Sequence, residues 1–435
     1  MHGRRKLLAG AAVAVAALVA VAGCGIGGGS GDASAGSGAT VAANAPIKGS
    51  ITFQTWSLKN QTFTPYFTSL ISAFEKRYPG TTVNWIDQPG DGYQQKVSSQ
   101  VTSNSLPDVI NLPPDYAYPL VQSGNLLDLA KNVPTLSADY VASGLKSYTY
   151  PSISGTYGFP WYLGAELNYW NKALLTKDGL DPNNVPKNLD QLLAQAKTMH
   201  DNSGGKDYLM SAEPWLNDIV QTGTQLMNAD DTKFVFNTPA VEAMIDKYTQ
   251  AFKAGYLPPD VLTSTYEGNN VLFEKQVVGW TTGQGNEIST VAQTDPTLAT
   301  QIIPSPSFGS SNLNVQGISV SAKSKNLPLA LAFAKYLTDN DNQVAFIKLA
   351  PGFLPGTTAA ADNPAYAKSD GTPAGNAAAI AYGDMQHAVD YTPPVWTDEM
   401  GTDLNQQIAL AMTGKESSKQ AMDDLVNQLN QLLTN

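Results

Sequence analysis

The chain is 435 residues long, 42% hydrophobic and only 14% charged, with a formal net charge of −11; this composition fits two or three folded domains and excludes fibrous and disordered classes. Its acidity leaves no cluster of Lys and Arg for a nucleic-acid surface. The lone cysteine, Cys24, excludes a disulfide framework and a cysteine-based zinc site. Of the 26 basic residues only Arg4, Arg5 and Arg77 are arginines.

In chain order, Arg4, Arg5 and Lys6 precede a 16-residue apolar run over 7–22, shorter than the roughly 20 residues of a membrane-spanning helix. Residues 1–23 therefore read as a secretory signal peptide. The run ends Val21-Ala22-Gly23-Cys24-Gly25, which resembles the bacterial lipobox, so Cys24 is the expected lipidation site. The literal G-x-G-x-x-G at Gly23, Gly25 and Gly28 straddles this cleavage site and follows no strand, so it is no dinucleotide fingerprint. Cleavage before Cys24 leaves 23 basic against 37 acidic residues, a balance of −14, and one arginine. Residues 25–45 are rich in Gly, Ser and Ala and are expected to form a flexible coil reaching about 25 Å, so 24–46 reads as lipidated cysteine plus tether, with the folded part starting near Ile47.

From there β-like runs alternate with helical periodicity, as in α/β domains. Residues 51–56, 81–86 and 108–112 alternate as strands, with helices over 63–74 and 94–101 between them, the first stopped by Tyr78-Pro79-Gly80. Amphipathic helices are predicted over 189–200, 239–254 and 327–337, the last with Asn326 as cap and Pro328 in its first turn. Two more lie over 397–412 and 417–432, separated by Gly414. The Ala-, Gly- and Pro-rich stretch 359–381 reads as a surface loop.

Six blocks in this order resemble the extracellular solute-binding proteins, family 1, the carbohydrate-binding group of ABC importers that includes maltose-binding protein. They begin with ITFQTW (51–56), AFEKRYPGTTVNW (73–85) and SLPDVINL followed by LVQSGNLLDL (105–129). They continue with YGFPWYLGAELNYWNKALL (157–175), NVLFEKQVVGWTTG (270–283), and GISVSAKSKNLPLALAFAKYLTDNDNQ with PGFLPGT (317–357). Three departures stand out: an extra aromatic in Tyr169-Trp170-Asn171-Lys172, Lys187-Asn188 where the family has Thr-Trp, and Gln276 in place of a Gly.

The resemblance implies an α/β, two-lobed periplasmic-binding-protein-like fold of type II, with the ligand cleft between lobes joined by a multi-crossing hinge. The implied N-terminal lobe is 47–160 plus 307–352 and the C-terminal lobe 161–306 plus 353–435, with crossings near 159–161, 302–317 and 351–356. It implies no catalysis and no cofactor. The expected protein is a monomeric lipoprotein, anchored through Cys24 at the outer face of the cytoplasmic membrane, that hands a sugar to ABC permease subunits when its lobes close.

Sugar sites combine flat aromatic rings with amides, hydroxyls and a few carboxylates. Trp56 ends the first strand, Trp161 and Tyr162 follow Pro160 at the expected hinge, and Trp215 follows Glu213-Pro214, so these four are candidate stacking residues. Trp280 and Trp396 stand evenly between ligand and core, while Trp85 and Trp170 are assigned to the core. Asp115, Glu166, Gln284 and Asn286 lie in loops beside expected strand ends or crossings, and for each a solvated loop role is an equal alternative. Gly317 and Phe353 are crossing residues where backbone or ring could approach ligand; Asp108 reads as structural.

Binding proteins for anions usually clamp the charge with Arg, whose planar fork matches carboxylate and phosphate. The remaining Arg77 sits at a helix end, so a neutral sugar or oligosaccharide is the expected ligand. His200 and His387 are far apart and in no ligand spacing, so no metal is expected. The rival class is a secreted glycoside hydrolase, which needs paired carboxylates such as Asp87 with Asp91 or Glu213 with Asp218; a third is a scaffold without a small ligand.

Overall fold

The computed structural model describes residues 38–433 apart from 151, 152, 264, 265, 362, 364, 365 and 386. The expected signal peptide, Cys24 and most of the tether lie outside the described residues. The described chain starts earlier than the expected boundary at Ile47, because residues before it are already held. The Val41 N–H donates to Asn132 Oδ1 at 2.7 Å and Asn132 Nδ2 donates to the Ala39 carbonyl at 3.2 Å. Ala39, Val41 and Ile47 also pack against the first hydrophobic core, an apolar payload that a Gly/Ser-rich coil lacks.

Eight strands form one sheet among the described residues: β1 (Gly49–Trp56), β2 (Thr81–Gln88), β3 (Val109–Leu112), β4 (Phe159–Asn171), β5 (Trp280–Gln284), β6 (Ile302–Pro306), β7 (Leu313–Val320) and β8 (Leu354–Pro355). Their order is β2-β1-β3-β7-β4-β5, with β6 and β8 also paired to β4. β1 is parallel to β2 and β3, each connection carrying a helix as parallel strands require. β3, β7 and β4 then run antiparallel in turn.

β4 joins the halves. Its first part, to Ala165, pairs with β7 and β8, and from Glu166 on it pairs with β5 and β6. Of its 13 residues only Tyr162 and Glu166 are not fully buried. The change of partner falls a few residues beyond the expected crossing at 159–161. Two apolar clusters fill the lobes: one gathers Phe53, Phe67, Phe74 and Phe333 on the β1 side, the other Trp170, Met244, Leu404 and Leu425 on the β5 side. A third lies in the middle and draws on both, from Ile110 and Tyr148 to Ile288 and Ala377.

The helices follow local chemistry. Thr64–Arg77 carries Pro65 in its first turn, buries Phe67, Leu70 and Phe74 at helical spacing, and ends in Lys76 and Arg77 before Pro79. Leu189–Ser203 is capped by Asn188, whose side chain accepts from the Gln191 N–H at 2.9 Å, so the departure from Thr-Trp keeps a working N-cap. Asp398–Thr413 and Ser418–Leu432 are capped by Thr397 and Ser417 and separated by Gly414 at φ +75°. Asn326 occupies the expected N-cap position before Leu327–Leu337, but its side chain donates instead to the Ser50 carbonyl at 2.7 Å. Asp108 is structural, accepting from the Thr52 N–H at 2.8 Å and from Ser324 Oγ.

One expectation fails. Within 359–381, read above as a surface loop, Pro373 opens a helix, Pro373–Met385, with Ala377, Ala381 and Met385 buried in the middle cluster. Its small residues do not signal disorder; they let the helix lie close to the chain beside it, and a Cβ on Gly285 would stand 3.1 Å from that of Ala381. Ala377→Leu is therefore expected to overpack this contact and destabilise the fold by about 1–3 kcal/mol. Urea unfolding would read this as a lower midpoint at unchanged slope; an unchanged midpoint would contradict the packing.

Candidate functional site

Beyond Ala165, side chains two residues apart on β4 share one face, which sets Glu166 and Asn168 side by side. Across the ladder Trp280 and Thr282 of β5 do the same. These four line a cavity of about 200 Å³ on the second lobe. The segment from Glu213 to Gln221 closes one wall, and the β6–β7 connection, with Ser307, Phe308, Ser310 and Asn312, closes another.

The rings are held in place. Trp280 and Phe308 lie parallel, centroids 6.3 Å apart and planes 5° apart. Trp280 Nε1 donates to Asn168 Oδ1 at 2.9 Å, and Asn269 Nδ2 donates to the Trp280 carbonyl at 3.0 Å. Trp215 stands at the N-terminus of the short helix Leu216–Gln221. Its N–H donates to Asp218 Oδ2 at 2.8 Å, and Tyr248 donates its phenol proton to Asp218 Oδ1 at 3.2 Å. Yet the Trp215 side of this well-fixed turn faces outward: at 38% exposure Trp215 is the one tryptophan among the large exposed hydrophobics. An aromatic that is rigidly placed but left uncovered is what a stacking surface for a ligand requires. Trp396 meets its edge at 6.2 Å and 83°, in a second depression that shares Trp215 with the cavity.

Three carboxylates share the wall. Burial raises Glu213 to about 7 and Asp218 to about 6, the latter despite the Trp215 N–H and the Tyr248 hydroxyl pulling it down. Burial also raises Glu166; the Thr282 hydroxyl opposes this and the charge of Asp218 reinforces it. No Lys, Arg or His lines the cavity among the described residues.

The structure thus brings Glu166, Trp215 and Trp280 together, with Trp396 at the margin. Other sequence candidates lie elsewhere. Trp161 is wholly buried in the first-lobe core, 4.6 Å from Phe346 and 5.9 Å from Phe67, because the β4 register slips between Pro160 and Tyr162 and the bulge turns its ring inward. Tyr162 packs on Phe346 at 5.3 Å and on Phe353 at 5.1 Å, so these two candidates satisfy each other. Trp56 stacks on Tyr93 at 5.7 Å.

Asp115 opens the helix Pro114–Gln122 beside a separate cavity shared with Asp390, whose carboxyl burial pushes up to about 7. Gln284 ends β5 opposite Glu166, its carbonyl accepting from the Tyr169 hydroxyl at 2.5 Å and its side chain against Gly164. Asn286 precedes the helix Glu287–Thr294 and bonds Thr290 at 3.4 Å. Gly317 on β7 is covered by the ring of Tyr148, which occupies the space a Cβ would need. Trp170 is buried, as expected.

Asn168, Thr282, Phe308, Asn312 and Tyr391 were missed. For Asn168 and Thr282 a signal existed: each sits two residues along a strand from a candidate, and the period of a strand puts such pairs on one face. Phe308 and Asn312 had none, being placed by a loop.

Parallel β1–β3 with helices between them, a strand shared by two lobes, and an aromatic-walled pocket on one lobe define a two-lobed α/β binding protein. The profile of the bacterial extracellular solute-binding proteins matches residues 69–415, and the chain belongs to this family. Diacetylchitobiose binding protein DasA of Streptomyces coelicolor is 25% identical over 328 residues, 71% of this chain and 72% of its own. The cyclic alpha-maltosyl-1,6-maltose binding protein of Arthrobacter globiformis superposes with a TM-score of 0.72 at 21% identity, covering 89% of this chain and 99% of that one. The GacH receptor of Streptomyces glaucescens, solved without ligand and with acarbose, gives 0.70 at 20% identity over 89% and 99%.

The raised carboxylates carry a stability consequence. A carboxyl whose folded pKa lies above its unfolded value binds more protons folded than unfolded between the two, so stability falls as pH rises through that interval. Glu213, Asp218, Glu287 and Asp390, raised to about 7, 6, 7 and 7, all act in this direction between roughly pH 4 and 7. The ligand-free protein is expected to melt several degrees higher at pH 5.5 than at pH 8; calorimetry giving the reverse order would contradict these environments.

Proposed function

We propose that this protein is the capture component of an ABC importer, which takes up a sugar or oligosaccharide outside the membrane and presents it to permease subunits when its lobes close. The carrying observation is Trp215: a residue whose backbone is held by Asp218 and whose ring is exposed, facing a cavity that also offers Trp280, Phe308 and the side chains of Asn217, Thr282 and Ser310. Rings meet the C–H faces of a sugar while amides and hydroxyls meet its hydroxyls. The printed names of its relatives point the same way, since DasA is a diacetylchitobiose binder and the Arthrobacter protein binds a cyclic maltosyl-maltose. Arginine scarcity and a wall without basic side chains speak against acidic sugars.

The crossing of β4 between lobes supports closure about Ala165–Glu166, with the first lobe built on β1–β3 and β7 and the second on β5, β6 and the C-terminal helices. A ligand drives closure only through contacts it makes better in the closed state. Cys24, in its lipobox setting, would tie a monomer to the outer face of the cytoplasmic membrane.

In each carboxylate pair that a hydrolase reading would use, one member is otherwise engaged. Asp87 accepts from Thr55 Oγ1 at 2.6 Å and from the Leu58 and Lys59 N–H groups at 3.2 and 3.1 Å. Asp218 has both oxygens taken by Trp215 and Tyr248. Carboxylates committed to holding backbone and phenol are poorly placed as a general acid or nucleophile.

In a thermal-shift panel one sugar should raise the melting temperature without being consumed. Trp215→Ala should then weaken its affinity at least tenfold at unchanged apo stability. Release of sugar products over hours would favour the hydrolase; unaltered affinity in the variant would move the site. Separately, Cys24→Ala should abolish incorporation of labelled fatty acid in cells, and retained label would reject the anchor.

A further inference from the structure

The wall of the cavity carries more information than the absence of arginine. Glu166, Glu213 and Asp218 come from three separate segments, β4, the loop before Leu216–Gln221 and that helix itself, and converge on one small space. Asp218 is spent on Trp215 and Tyr248, and Glu166 has the Thr282 hydroxyl. Among the described residues Glu213 has no hydrogen-bond or ion-pair partner, although it is half-buried two residues before Trp215, and the nearby Tyr266 hydroxyl is donated to the Ser211 carbonyl. The neighbouring groups do not compensate. Tyr391 donates its phenol proton to the Ser310 carbonyl at 2.7 Å, Tyr248 is turned to Asp218, and Asp398 adds a further negative charge in the depression beyond Trp215. Basic side chains enter only in the next depression along, where Lys247 is paired with Asp190 at 2.5 Å and Lys187 is exposed.

Lobe closure on any ligand removes the remaining water from these carboxylates. A neutral sugar offsets the cost of desolvating these like charges only through hydrogen bonds from its hydroxyls and leaves their mutual repulsion in place. With a cationic ligand the same closure strengthens a favourable contact, and the rings of Trp215 and Trp280 add the attraction of an aromatic face for a cation. We propose that the pocket selects a sugar carrying a protonated amino group, with Glu213 as the residue that reads the charge and the aromatic wall as the stacking surface. This rests on the sugar reading above and refines its charge class.

The two charge classes separate by pH. A cation needs ionised carboxylates, so its affinity falls as pH drops from 7.0 to 5.5; a neutral sugar exchanges acceptors for donors on the protonated acids and its affinity changes less. The test is calorimetric titration of matched pairs: glucosamine against glucose, galactosamine against galactose, mannosamine against mannose, and the β-1,4 glucosamine dimer against its di-N-acetyl form and cellobiose. At pH 7.0 one amine is expected to bind at least tenfold tighter than its hydroxyl and acetamide counterparts, with the advantage shrinking at pH 5.5. Glu213→Gln is expected to cut the preference of the amine over its neutral counterparts to within about threefold. Equal or tighter binding of the neutral partner at pH 7.0 would overturn the inference and leave the sugar reading standing. Failure of every sugar in the panel to bind would overturn both.

Discussion

Strand β4 is the constraint on which the rest depends. Most strands need to match one set of neighbours; β4 must match β7 and β8 in its first half and β5 and β6 in its second, and it is buried almost throughout. A one-residue slip would move its side chains to the other face in both lobes at once. The bulge at Trp161 sets the register where the chain leaves the first core, and the ladder from Glu166 to Asn171 sets it again in the second lobe. Since the pocket is built outward from Glu166 and Asn168, the fold of the first lobe and the chemistry of the second are fixed by the same backbone.

The pocket itself is organised before any ligand arrives. Asp218 orients Trp215 through its backbone, Asn168 orients Trp280 through its indole N–H, and Trp280 orients Phe308 by stacking. Each ring therefore keeps its position with little rotamer freedom left to lose, which reduces the ordering cost that binding would otherwise carry. The same economy explains why Asp218 remains in an unfavourable environment. Burial raises its pKa, but the two hydrogen bonds that hold it are those that aim the exposed ring.

How much of this was legible in the sequence divides by type of signal. Periodicity located β1–β3 and most of the longer helices, because alternation and helical spacing are properties of the residues themselves, and Leu327–Leu337 falls where its spacing placed it; it did not mark β4–β8, of which β4 is buried almost throughout and β8 is very short. It failed at Pro373–Met385, where small residues suited to close helix packing look like the residues of a loop. The site was harder. Trp215 stood out because it follows Glu213-Pro214, and Glu166, expected in a loop, lies inside β4; the ring of Trp161, which likewise follows a proline, turns into the core at a bulge that no local spacing announces. Phe308 and Asn312 reach the pocket only because the connection between β6 and β7 brings them there, a tertiary fact.

Arginine scarcity, a property of the whole chain, turns out to have a local counterpart. An anion-binding cleft would need a cation that is buried yet paired, and this protein keeps its one described arginine at a helix end beside Tyr78 and Tyr336, next to the docked N-terminal segment and away from the pocket. Low overall charge alone would have left the pocket electrostatically featureless. Instead carboxylates from three segments are gathered where lobe closure would remove water, and burial raises all three, bringing Glu213 and Asp218 near their point of titration. Groups held near that point respond strongly to a new charge, so small differences in ligand charge become large differences in closed-state stability. Composition thus excludes one sign of charge, and geometry makes the pocket sensitive to the other.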